Sequence, residues 1–175
     1  MKKGFTFIEI VVVAAISSVV AMGVSLVATS TRSTWHSSDT LIQLQQELRK
    51  AMSSITDDLR GTAVTKIYTN SSLAQAFPNN GVPYSSITFF INQGVDVSGD
   101  IIWSTTPVSY ALSSNQIIRT YSGSSKVVAN NINSLSFIRQ PSVPNVITIN
   151  MGAQKTTIAG QALSATLDTE LAVRN

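Results

Sequence analysis

The stretch GFTFIEIVVVAAISSVVAMGVSLVATSTR, residues 4–32, decides how the rest of the chain is read. Its only charges are Glu9 and Arg32, and the 22 residues between them carry none. At about 1.5 Å per residue they form a helix of roughly 33 Å, enough for one hydrocarbon core. Ser17, Ser18 and Ser25 are tolerable there, because a helix can satisfy their hydroxyls on its own carbonyls. Lys2 and Lys3 precede the run with no acid beside them. That asymmetry predicts a cytoplasmic N-terminus, with everything after Arg32 outside. Glu9 is the anomaly, since a carboxylate deep in a bilayer costs on the order of 2.5–3.5 kcal/mol and less near the end of a span.

Three readings compete. A secretory signal peptide wants about 7–15 apolar residues and a small-x-small cleavage site. This run is longer, and a carboxylate inside it hinders insertion. A plain membrane anchor has no use for Glu9. The third reading takes in the whole pattern: a short basic leader, Gly4, Phe5, then an acid as the fifth residue after the glycine.

That pattern, Gly4-Phe5-Thr6-Phe7-Ile8-Glu9, resembles the type IV prepilin-like signal at every position. The resemblance implies that a membrane peptidase, which also methylates, cuts between Gly4 and Phe5 on the cytoplasmic side. The new N-terminus, Phe5, is then N-methylated. A glycine before the bond lets the enzyme approach closely. It also implies a role for Glu9: its carboxylate pairs with the terminal amine of a neighbouring subunit, so that two charges costly in lipid become one pair on assembly.

Residues 29–38 (TSTRSTWHSS) are polar but hold neither Gly nor Pro to break a helix. Trp35 suits a membrane interface. His36 is the only histidine, which precludes a histidine cluster. Leu41, Leu44, Leu48, Met52, Ile55 and Leu59 then recur at helical spacing, one apolar stripe of an amphipathic helix. Glu47 with Lys50, and Asp57 with Arg60, are spaced for weak same-face pairs. Gly61 reads as the helix stop. From Phe5 to Arg60 such a helix would span about 84 Å.

Beyond Gly61 the chain reads as β. All five prolines fall there, and Pro78-Asn79-Asn80-Gly81 and Ser122-Gly123-Ser124-Ser125 read as turns or loops. Strand-like runs lie at residues 63–69, 86–92, 101–112, 116–121, 134–139 and 145–150. The clearest is 163–173, where Leu163, Ala165, Leu167, Thr169, Leu171 and Val173 alternate with mostly polar residues. Short connections predict antiparallel pairing. The expected fold is α+β and pilin-like: a long N-terminal helix, membrane-spanning and then amphipathic, whose stripe packs on an antiparallel sheet. The expected parts are a leader (1–4), a transmembrane segment (5–31), an amphipathic helix (32–61) and a β-rich domain (62–175).

Composition narrows function. The chain has 175 residues and no cysteine, so neither disulfides nor thiolate metal sites are available. Twelve Lys+Arg face nine Asp+Glu, a net of +3. Removal of Lys2 and Lys3 with the leader would leave ten against nine, or +1, which gives little support to nucleic-acid binding. Enzyme constellations are missing: there is no Gly-x-Ser-x-Gly elbow and no phosphate-cradling loop, and most nucleophile–base pairs lack a partner residue. Asp96 and Asp100 flank a loop that could contribute to a calcium site, but they read better as a solvated turn. Asn70-Ser71-Ser72 fits a glycosylation sequon and reads as loop. The expectation is a non-enzyme with no cofactor, no metal site and no catalytic residue.

Three further stretches resemble the larger minor pseudopilins of type II secretion, J-type, and the W-type minor pilins. They run from Gln45-Gln46-Glu47 to Asp58-Leu59-Arg60, from Tyr110-Ala111-Leu112 to Ile117-Ile118-Arg119, and from Leu167-Asp168-Thr169 to Arg174-Asn175. The resemblance implies a structural subunit of a pseudopilus or type IV pilus. It would sit as a single-pass protein of the bacterial inner membrane, its globular domain periplasmic or extracellular. Its partners would be other pilin or pseudopilin subunits, the prepilin peptidase/methyltransferase, the assembly platform and membrane lipid. The alternative is a surface pilin whose outer domain binds a ligand or DNA, in adhesion or competence. The scattered basic residues Lys66, Arg119, Lys126, Arg139 and Lys155 argue against DNA.

Overall fold

The computed structural model describes residues 6–157 and 160–174. They divide between two compact units, Met1–Asp39 and Thr40–Asn175. One helix, α1 (Phe7–Arg60), supplies the described part of the first unit and opens the second.

In the first unit α1 buries nothing. Phe7, Ile8, Val19 and Leu26 are each well over half exposed. Ser18 Oγ donates to the Ala15 carbonyl at 2.7 Å and Ser25 Oγ to Ala21 at 2.9 Å, as the sequence predicts. The polar stretch that follows stays helical by the same device. Ser33 and Thr34 donate to the Ser30 carbonyl, and Ser37 donates to Ser33. Hydroxyls that would compete with a helix are thus spent on its own carbonyls.

In the second unit α1 buries Leu44, Leu48, Ala51, Met52, Ile55 and Leu59, the predicted stripe without Leu41 and with Ala51 added. Each large aliphatic side chain taken from water there contributes about 1.5–3 kcal/mol. The helix ends at Arg60 as expected, but not through a left-handed glycine, since Gly61 is absent from the positive-φ residues. The Gly61 and Thr62 N–H groups instead bond back to the Asp58 and Leu59 carbonyls, tightening the last turn.

Among the described residues ten strands follow: β1 (Ile67–Tyr68), β2 (Ser86–Phe89), β3 (Asn92–Val95), β4 (Ile101–Trp103), β5 (Val108–Ser113), β6 (Gln116–Tyr121), β7 (Ser124–Asn130), β8 (Ile132–Arg139), β9 (Val146–Thr156) and β10 (Ala162–Ala172). They form a five-stranded sheet ordered β1-β2-β5-β6-β7, a three-stranded sheet β10-β9-β8 and a hairpin β3-β4. Each of these strand pairs is antiparallel, as the short connections predict. The fold is therefore α+β, as expected, though with three sheets rather than one.

Several strand readings need correction. Residues 63–69 give mostly a 3-10 turn (Val64–Lys66) and the two-residue β1. The run 101–112 breaks into β4 and β5, because Pro107 has no N–H for a ladder. The run 145–150 continues to Thr156 as β9. The segment read as loop, Ser122-Gly123-Ser124-Ser125, is a two-residue hairpin turn followed at once by β7. Ser122 (φ 50°) and Gly123 (φ 76°) both take the left-handed conformation such a turn needs. Ser114 and Asn115 turn β5 into β6 in the same way.

α1 is tied to both sheets. The buried ring of Tyr110 (β5) sends its hydroxyl to Asp58 Oδ2 at 2.6 Å, with Ser54 Oγ 2.9 Å away. Arg119 Nε (β6) donates to the same Asp58 oxygen at 2.7 Å. Burial, and then the bond to Asp58, push the Tyr110 phenol well above its ordinary range. Glu47 accepts the Asn130 N–H at the end of β7 at 2.8 Å, and the ion pairs among the described residues do not join it to Lys50. The expected Asp57–Arg60 pair forms at 3.5 Å in the open. On the other sheet, Lys155 Nζ (β9) reaches Gln43 Oε1 at 3.2 Å.

Candidate functional site

The first turn of α1 is built by two residues, Thr6 and Glu9. Thr6 precedes the helix and acts as its cap: the Glu9 N–H points to Thr6 Oγ1 at 3.4 Å. In return Glu9 Oε2 accepts both the Thr6 N–H and the Thr6 hydroxyl at 2.9 Å. This reciprocal pattern, Thr-x-x-Glu, is a capping box, and it satisfies helix-end donors that would otherwise be orphaned. The carboxylate also lies at the helix N-terminus, where the helix dipole favours negative charge.

Glu9 is exposed on a helix end whose next residues are apolar. Its carboxylate holds its own chain's cap while remaining open to a neighbour. Thr6 is the residue the sequence reading passed over, although Thr6-Phe7-Ile8-Glu9 carries the box signature in plain view. Gly4 and Phe5, the expected processing pair, lie outside the described residues.

The apolar helix that follows has a window of mean hydropathy 2.6 with none of it buried, long and apolar enough to cross a membrane. Trp35 stands 72% exposed beyond it.

Among its described residues the second unit offers no comparable constellation. Among the described residues no group of three or more His, Cys, Asp or Glu is placed to hold a metal. In the Asp96–Asp100 loop, Asp96 Oδ1 accepts the N–H groups of Ser98 and Asp100 at 2.8 and 2.9 Å, so that oxygen shapes the turn. Asn70 likewise folds its own loop, accepting the Ser72 N–H and hydroxyl.

The class follows from these parts: a capped apolar helix long enough to cross a membrane, and an α+β second unit. A family model described as the prokaryotic N-terminal methylation motif matches residues 1–25. It is the type IV prepilin-like signal, and it fits the pilin and pseudopilin family. The motif supports a type IV pilin-like protein, a structural rather than an enzymatic class, and implies processing by prepilin peptidase and assembly with other pilin subunits. Together with the apolar helix it fits an inner-membrane-anchored pilin. No curated protein matches the chain.

Proposed function

We propose that this chain is a minor subunit of a filament, a minor pseudopilin of type II secretion or a minor type IV pilin. Cleavage falls between Gly4 and Phe5, Phe5 becomes the N-methylated terminus, and the outer unit lies on the far side of the inner membrane. Glu9 pairs with the terminal amine of the neighbouring subunit. The observation that carries this reading is the methylation motif over residues 1–25, with Glu9 at the open end of an apolar helix. The capping box supports it further, because it holds the carboxylate at the helix end before any partner arrives.

The glutamate also bears on position in the filament. A subunit that needs a neighbour's amine needs a subunit already ahead of it, so this chain adds beneath another minor subunit rather than at the outermost place. Mass spectrometry of the N-terminal peptide from native membranes tests the processing step. A peptide beginning at methylated Phe5 is expected. A mature start at Thr29 or beyond would mean an ordinary signal peptide and would sink the filament reading.

A further inference from the structure

A sheet edge is a row of unpaired backbone donors and acceptors, and proteins usually blunt it. Three of the four edges in the two large sheets are blunted here. β1 is two residues long and bridged at Tyr68 to Ala76. β7 carries Lys126, bulges at Val128 opposite Ile117 and Ile118, and gives its last N–H to Glu47. The outer side of β8 is taken by Tyr84, which exchanges both backbone hydrogen bonds with Phe137 at 2.8 and 2.9 Å.

From Ala162 to Ala172 β10 has none of these protections, and the one bridge on its side, Ala63↔Arg174, lies beyond its end. It pairs with β9 from Ala162↔Thr156 to Ala172↔Val146 without a single register shift, and it contains no Pro, Lys or Arg. Its outward groups can be assigned. The Val173 N–H bonds inward to the Asn145 carbonyl, and the next residue, Arg174, accepts the Val64 N–H from the other side. Alternation along an unbroken antiparallel strand then turns the N–H and C=O of Ala162, Ser164, Thr166, Asp168, Glu170 and Ala172 outward. Among the described residues those backbone groups meet no partner.

Two observations define what would fit. Just past the end of this edge, the single-residue parallel bridge Ala63↔Arg174 shows backbone from elsewhere in the chain bonding on the same side. Asp168 and Glu170 share the exposed face of β10, their cross-strand neighbours are the uncharged Asn150 and Thr148, and neither has an ion pair among the described residues. The opposite face carries the half-buried Leu163, Leu167 and Leu171. We infer that β10 is a docking edge for an extended segment of another polypeptide, alternately apolar and basic, which adds as a further strand. A second copy of β10 is disfavoured, because matched faces bring the carboxylates of the two copies opposite or diagonal to one another. The inference rests on the sheet alone and does not depend on the filament reading.

The test uses the full chain in detergent micelles, with empty micelles as blank. The probe is a labelled peptide the length of β10 in which valine alternates with lysine. Its controls are the same peptide with glutamate for lysine, and one N-methylated on the backbone at the residues facing β10. Fluorescence anisotropy should show binding of the lysine peptide and binding at least roughly tenfold weaker for the glutamate peptide, as two cross-strand charge pairs turned repulsive would give. The N-methylated peptide should not bind, and hydrogen exchange should show new protection at the even-numbered residues from Ala162 to Ala172. The double variant Asp168→Lys, Glu170→Lys, which leaves the ladder intact, should reverse the preference between the charged peptides. Absent binding, equal binding of the N-methylated peptide, or protection elsewhere would each overturn the proposal. So would concentration-dependent protection of β10 without any peptide, which would make the occupant a second copy.

Discussion

Glu9 and Thr6 give the residue scale its sharpest experiment, because the capping bonds that Glu9 makes and the pairing proposed for it are separated by different substitutions. Glu9→Val removes the charge and the Glu9 half of the capping box, Glu9→Gln keeps the box but removes the charge, and Thr6→Ala removes only the hydroxyl half of the box. If Glu9 pairs with a neighbour's amine, cross-linking to partner subunits in native membranes should fall for both Glu9 variants and stay near wild type for Thr6→Ala. Losing one partner of a buried ion pair costs about 3–5 kcal/mol. Wild-type cross-linking in Glu9→Gln would reduce Glu9 to a cap. A second residue-scale effect sits at Tyr110. Its phenol is raised by burial and by Asp58, so the folded state favours the protonated form. That contribution is complete below the unfolded value of about 10 and is lost as pH rises above it. Thermal unfolding should therefore show wild type losing stability more steeply than Tyr110→Phe above about pH 10. At neutral pH the variant should be weaker by about 1–2 kcal/mol, since Asp58 loses a bond. Parallel pH curves for the two proteins would remove Tyr110 from the account.

At the scale of elements, the stripe on α1 was legible because apolar residues three and four apart fall on one face of a helix, and that face needs cover. Leu48 is 2% exposed and Ile42, on the same helix, is 53% exposed. Leu48→Ala should cost about 2–5 kcal/mol by leaving a cavity. Ile42→Ala should stay within about 0.5 kcal/mol in denaturant unfolding. Equal effects would mean that the stripe is not the packing face. β10 was legible for a similar reason, a nearly regular apolar–polar alternation over residues 163–173, which burial follows residue by residue through Ala172. β7 was not, because its first four residues are exposed and its entry, Ser122-Gly123-Ser124-Ser125, has the composition of a loop. A two-residue turn and a loop draw on the same residues, and only φ tells them apart.

For the whole molecule, the unit Thr40–Asn175 holds the buried core, and the described part of Met1–Asp39 is exposed helix. A chain starting near residue 32 should therefore be soluble and give a β-rich circular dichroism spectrum with a helical contribution. Its melting temperature should not change on adding EDTA, because one Asp96 oxygen is committed to its own loop. A large drop with chelator would make that loop a metal site after all.

The sequence by itself determined the features that local chemistry writes in runs and offsets. These are the apolar span, the methylation motif over residues 1–25 with Glu9 in it, the amphipathic stripe and the last strand. Each depends on neighbours within a short stretch of chain, and so survives being read in one dimension. The tertiary structure alone decided what depends on distant partners. It divided the β region into three sheets and set Asp58 between Tyr110 and Arg119, residues more than fifty positions away. It also placed β10 at an open edge. Nothing in a strand's own sequence says which neighbour it will lack, because pairing is settled by which segments have already taken the other places.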